Sequence, residues 1–163
     1  MIEKSTYSVL QGDGYSSWRL KSVRYCFLSI RFWQYFTLMT VGVYGATLLS
    51  YSFKPFGESS STHEKISDGL LTWASSIGAG FVNGATRVAF GALIDKFKFK
   101  QLMTIILFTE LVTCLVFYWA AHIPAVYFSM VLLNYAVLGA YFTVLPVSVT
   151  RVYGLKLGPQ VFV

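Results

Sequence analysis

Residues 70–94 read LLTWASSIGAGFVNGATRVAFGALI, an apolar run that holds a single charge, Arg87, and is followed at once by Asp95-Lys96. A run of this length reaches the roughly 20 residues that a helix rising 1.5 Å per residue needs to cross a ~30 Å hydrocarbon core. Backbone groups in lipid must be satisfied within the segment, so the run is read as a helix. A guanidinium is never deprotonated in a protein, and at membrane depth it costs about 2.5–3.5 kcal/mol on insertion scales. It persists there when it is paired, or when it faces protein or a wet cavity.

Three further runs have the same character: 32–53, 101–121 and 124–148. Only 12% of the 163 residues are charged, against about 25% in a soluble domain, and mean hydropathy is +0.58. The sequence therefore predicts an all-α membrane protein with four transmembrane helices and no room for a separate soluble core. Residues 1–31 read as a basic cytoplasmic tail or linker, 32–148 as the membrane region, and 149–163 as a cytoplasmic loop leading to a helix not present here. Short links at Asp95–Lys100 and His122-Ile123 make neighbouring helices antiparallel. Asp68 is placed as the cap of the second helix and Pro124 in the first turn of the fourth.

The net charge of +6 is orientation information rather than a nucleic-acid footprint, because the cations flank the apolar runs and no nucleic-acid motif accompanies them. Lys4, Arg19, Lys21, Arg24, Arg31, Lys96, Lys98, Lys100, Arg151 and Lys156 fall on one side, ten of the 13. Lys54 and Lys65 fall on the other. Positive charge marks the cytoplasmic face, so both termini and the Asp95–Lys100 link are expected inside and the serine-rich 54–69 loop outside.

At 100° per residue, Ser76, Gly80, Asn83, Gly84, Arg87 and Gly91 share one arc of the second helix. Small residues at four-residue spacing allow close helix approach, and the polar members turn the arc toward protein or water. Two readings stay open: a packed seam with Arg87 satisfied by carbonyls, or a cavity where Arg87 binds an anionic solute. Glu110, on the neighbouring helix at similar depth, is a candidate ion-pair partner for Arg87 or a proton site. Thr37, Thr40, Gly42, Tyr44, Gly45, Thr47 and Ser50 in the first run suit either a seam or a hydrated path. So do Asn134, Gly139, Tyr141 and Thr143 in the fourth. Trp33, Tyr118, Trp119 and Tyr127 are read as interfacial anchors. Cys26 and Cys114 are read as unpaired thiols. His63 and His122 are isolated, and no Walker loop, GxSxG, metal-ligand cluster or paired carboxylates occurs, so neither an enzyme nor a cofactor is expected.

Gly91-Ala92-Leu93-Ile94-Asp95-Lys96-Phe97-Lys98-Phe99-Lys100 resembles the loop signature of the major facilitator superfamily, with Lys98 and Phe99 standing where the signature has glycine and a basic residue. The run from Phe81 to Gly91 is similar to helix eight of the oxalate/formate antiporter and monocarboxylate transporter branch, where an arginine four residues before the motif glycine contacts the substrate carboxylate. Arg87 stands at that position, and Asn83 where monocarboxylate transporters carry an acid. Gly139-Ala140-Tyr141-Phe142 and Leu145-Pro146, followed by Tyr153-Gly154 and Gly158, are similar to helix ten and its exit.

The resemblance implies a partial C-terminal half of a major facilitator fold, helices seven to ten, in a fragment or truncated member of a secondary transporter. It further implies a small organic anion such as a monocarboxylate as solute, Arg87 and Asn83 as substrate contacts, and Gly91, Asp95 and Lys96 as a gating loop. The lipid bilayer and the missing helices, or another membrane subunit, are the implied partners. The alternatives are a non-transporting structural membrane subunit or degenerate remnant, and a channel built from four-helix units.

The orientation has a direct check. With Cys26 and Cys114 replaced by serine, Lys98→Cys is expected to react with a membrane-impermeant maleimide only after permeabilisation, and His122→Cys to react in intact cells. The reverse pattern refutes the assigned topology.

Overall fold

A computed structural model describes residues 26–59 and 66–162. The 54–69 loop is thus described only at its ends, and Lys65, His63 and the tail before Cys26 lie outside the described residues. Among the described residues all regular structure is helical: α1 (Ile30–Ser59), α2 (Asp68–Lys96), α3 (Phe99–Ala120) and α4 (Pro124–Phe162). Four segments are long and apolar enough to cross a membrane, which makes the chain an all-helical, multi-pass integral membrane protein.

The helix ends follow local chemistry. Ser67, not Asp68, caps α2: its hydroxyl accepts from the Leu70 N–H at 3.3 Å, while Asp68 opens the first turn and pairs with Lys54 of α1 at 2.7 Å. Serine in the extended conformation of a cap position reaches the exposed amides of the first turn, and a carboxylate one residue later favours the positive helix end. The α2–α3 link is made by Phe97 (φ −110°, ψ 154°) and Lys98 (φ −71°, ψ 141°), angles open to any L residue. A glycine is therefore not needed at Lys98. Pro124 begins α4, where its missing N–H costs nothing. Residues 149–162, read from sequence as a loop, instead continue α4, broken at Gly154 (φ 82°, ψ 165°). That backbone region is nearly closed to residues with a Cβ.

The chain divides into two compact units. In one, Cys26, Val149 and Tyr153 form a small apolar cluster with Phe32, Tyr35 and Val152 around them. Burial pushes the Cys26 thiol up from its ordinary value, making it a poor nucleophile at neutral pH. The other unit, Phe36–Leu145, carries the four-helix packing. Phe53, Leu71, Ala74, Phe117, Tyr127, Val131 and Tyr135 pack into a core at the end of the bundle opposite the Asp95–Lys100 link. Tyr127 is fully buried rather than interfacial, and its hydroxyl donates to the Phe53 carbonyl at 2.5 Å. Two residues on, Pro55 lacks an N–H and leaves the Tyr51 carbonyl without its helical donor. Trp33, Tyr118 and Trp119 are exposed, as interfacial anchors require.

Glycine governs the helix crossings. The Tyr141 ring lies on Gly42, where a Cβ would come within 2.5 Å of Cζ, and the Tyr135 ring lies on Gly78 just as closely. At Gly139 a Cβ would meet the Asn83 carbonyl oxygen at 2.6 Å. These contacts run α1 antiparallel to α4, and α2 parallel to it.

A backbone oxygen cannot rotate aside. Gly139→Ala is accordingly expected to destabilise the folded protein by about 1–3 kcal/mol, the usual range for overpacking. Gly80→Ala, with nothing within 4 Å, is expected to be neutral or stabilising by up to about 1 kcal/mol through helix propensity. Thermal melts in detergent measure both, and equal effects would contradict this packing.

Candidate functional site

The middle of α2 is not a regular α-helix. Ile77–Val82 forms a π-helical segment, and the Asn83 N–H reaches back five residues to the Gly78 carbonyl. The wide turn lies where α2 meets α4, between the Tyr135–Gly78 and Asn83–Gly139 contacts. π-Bulges are rare and concentrate at functional sites. At the return to α geometry the Thr86 hydroxyl donates to the Val82 carbonyl at 2.8 Å. A π segment advances fewer degrees per residue than an α-helix, so Ser76 and Arg87 do not keep the common face that 100° spacing assigns them.

Arg87 sits one turn beyond this segment. Its Nε donates to Asn83 Oδ1 at 2.9 Å, and its guanidinium lies 5.2 Å from the centre of the Phe142 ring on α4. The terminal guanidinium nitrogens have no hydrogen-bond partner among the described residues. A bond to Nε and an aromatic face fix the plane of the group while leaving its carboxylate-matching fork open. One turn further along, Gly91 faces Thr143 of α4. Asp95 and Lys96 are exposed at the end of α2, and Asp95 is engaged with neighbours there.

Two expectations from sequence are corrected. Arg87 does not pair with Glu110: it takes Asn83 and Phe142, whereas Glu110 takes Tyr141. Depth along neighbouring helices matched, but azimuth did not. Nor is the Ser76–Gly91 arc a seam inside this chain. Gly80 and Gly84 have nothing within 4 Å, and Ser76, Gly80, Gly84 and Arg87 are exposed on the surface of the four helices. The close seam is built instead from Gly42, Gly45, Gly78 and Gly139, with Gly42 and Gly45 on α1 receiving side chains from α3 and α4.

That seam carries the buried polar groups. Asn134, only 3% exposed, donates to the Ala46 carbonyl at 3.0 Å and to Ser50 Oγ at 2.8 Å, and its Oδ1 has no partner. The Glu110 carboxyl, 8% exposed, accepts from the Tyr141 hydroxyl and lies against Gly45. Thr37, Thr40 and Tyr44 are exposed on α1 and take no part. Both cysteines are free thiols, Cys26 buried and Cys114 exposed. Sequence spacing singled out Asn134 and Tyr141 only as members of a polar set. Their partners on α1 became visible once the crossings were known.

No protein-family profile, curated protein or solved structure matches the chain.

Proposed function

We propose that this chain is part of a secondary transporter for small organic anions, in which Arg87 supplies the fixed positive charge and Asn83 holds it in place. The carrying observation is that Arg87 lies within a membrane-length helix, is oriented through Nε by Asn83, and has its terminal nitrogens unclaimed among the described residues. Its cost at membrane depth is not offset by any carboxylate among the described residues. A carboxylate solute would complete it bidentately. The resemblance of residues 81–100 to the major facilitator superfamily supports the same reading, as does the motif end of α2 with Gly91, Asp95 and Lys96.

The reading carries a structural requirement. With Gly80, Gly84 and Arg87 on the outer surface, four helices alone would set a guanidinium and bare helix turns against acyl chains. Further transmembrane helices must therefore cover this face, as the second half of a carrier does when substrate binds between two rocking halves. In this arrangement both termini lie in the cytoplasm.

A second reading, a non-transporting membrane subunit, is favoured by the same uncovered glycines, which equally suit a partner helix. In that case the open fork of Arg87 meets an acidic residue of another subunit rather than a solute.

Uptake of labelled monocarboxylates by cells expressing the complete open reading frame separates the two. Arg87→Ala is expected to lower uptake by about 10–100-fold, the equivalent of losing a charge-assisted pair of about 1.5–3 kcal/mol. Arg87→Lys should restore only part of it, since an ammonium lacks the planar fork. Uptake unchanged by Arg87→Ala removes the solute-binding role. If assembly into a larger complex is lost instead, the subunit reading gains.

A further inference from the structure

Glu110 lies 11 residues into α3, about 17 Å along a helix about 33 Å long at 1.5 Å per residue. The carboxyl is therefore held near the middle of the spanning segment, buried among α1, α3 and α4. From α4 it receives the Tyr141 hydroxyl. From α1 it receives the Ala46 backbone N–H, at a face opened by glycine: a Cβ on Gly45 would stand 2.6 Å from Oε1, and the Tyr141 ring that carries the hydroxyl lies against Gly42. On its own helix the titratable neighbour is Cys114, one turn further on. Among the described residues no lysine, arginine or histidine pairs with it, Arg87 being held by Asn83 and Phe142.

An ionised carboxylate in such a place has two neutral hydrogen-bond donors and, among the described residues, no counter-charge. Desolvation of a lone ion is among the most unfavourable terms in protein energetics, and intramembrane acids are met by a cation, a proton or water. A divalent cation would need six or more oxygens, and the described residues hold no cluster of metal-ligating side chains. Oε1 lies so close to Gly45 that even a single added Cβ would stand 2.6 Å from it, which leaves little room for a cation and its ligands. A proton needs no such space.

We propose that Glu110 and Tyr141 form a proton-binding site at the middle of the membrane. Glu110 binds one proton as the neutral acid and Tyr141 bonds it, and this neutral pair allows α1 to close on α3 and α4 through Gly42 and Gly45. The site is separate from Arg87 and does not depend on the anion-carrier reading.

Infrared spectroscopy of the purified full chain in lipid bilayers at neutral pH tests this. The expected result is a protonated-carboxyl C=O band that disappears in Glu110→Gln and shifts to higher frequency in Tyr141→Phe, where the hydrogen bond is lost. Glu110→Gln, an uncharged isostere of the acid, is expected to keep the wild-type melting temperature within a few degrees, and Glu110→Lys to lose the folded protein. If Glu110→Gln does not assemble, carboxyl-¹³C glutamate in the wild type identifies the band by its isotope shift. Absence of the acid band, a band indifferent to Tyr141→Phe, or its conversion to a carboxylate band on replacing choline by sodium would each overturn the proposal. Arg87→Ala should leave the band in place, so failure here and failure of the carrier reading are separable.

Discussion

In hydrocarbon a polar atom has no water to fall back on, and the packing of this bundle follows from where its polar atoms find partners. The decisive contact is between the glycine face of α1 and the side chains that α3 and α4 lay on it. Gly42 admits the Tyr141 ring, Gly45 admits the Glu110 carboxyl, and the Ala46 carbonyl takes the Asn134 amide. Dispersion and hydrogen bonding, rather than expulsion of water, drive helix association in lipid, and both require close approach. Two missing Cβ atoms on α1 provide it. Larger residues there would push α1 outward and break the Asn134–Ala46 and Asn134–Ser50 contacts.

The second helix solves a different problem. It packs on α4 through Gly78 and Gly139 at the position where its backbone widens into a π segment, and resumes α geometry just before Arg87. Close approach on one side of α2 thus coexists with an arginine on an uncovered side. Asn83 serves both sides: its backbone carbonyl rests on Gly139, and its side chain orients the guanidinium. A shift of α2 against α4 would therefore move the charge as well as the seam. Helix packing and the orientation of the guanidinium are thereby mechanically linked.

The two intramembrane charges of the sequence, Arg87 and Glu110, belong to separate places with separate chemistry. Glu110 is enclosed and supplied with a phenol, a backbone amide and glycines. Arg87 is at the surface and supplied with an amide and a ring. An internal ion pair would have cancelled both charges.

The sequence by itself determined the number of spanning helices, the links between them and the presence of one cation and one acid at membrane depth. Apolar length and charge are one-dimensional properties and survive any packing. Helix azimuth was not legible, because the 100° rule accumulates error across a π segment that composition does not announce. Depth along the helix, which the sequence does give, matches Arg87 with Glu110, but depth says nothing of azimuth, and the two stand apart in space. Which glycines are seam and which are open was likewise undetermined: Gly80 and Gly84 look the same in sequence as Gly42 and Gly45. Only the tertiary structure, by bringing Tyr141 and Glu110 onto α1, decided between them, since a missing Cβ matters only where another helix needs the space.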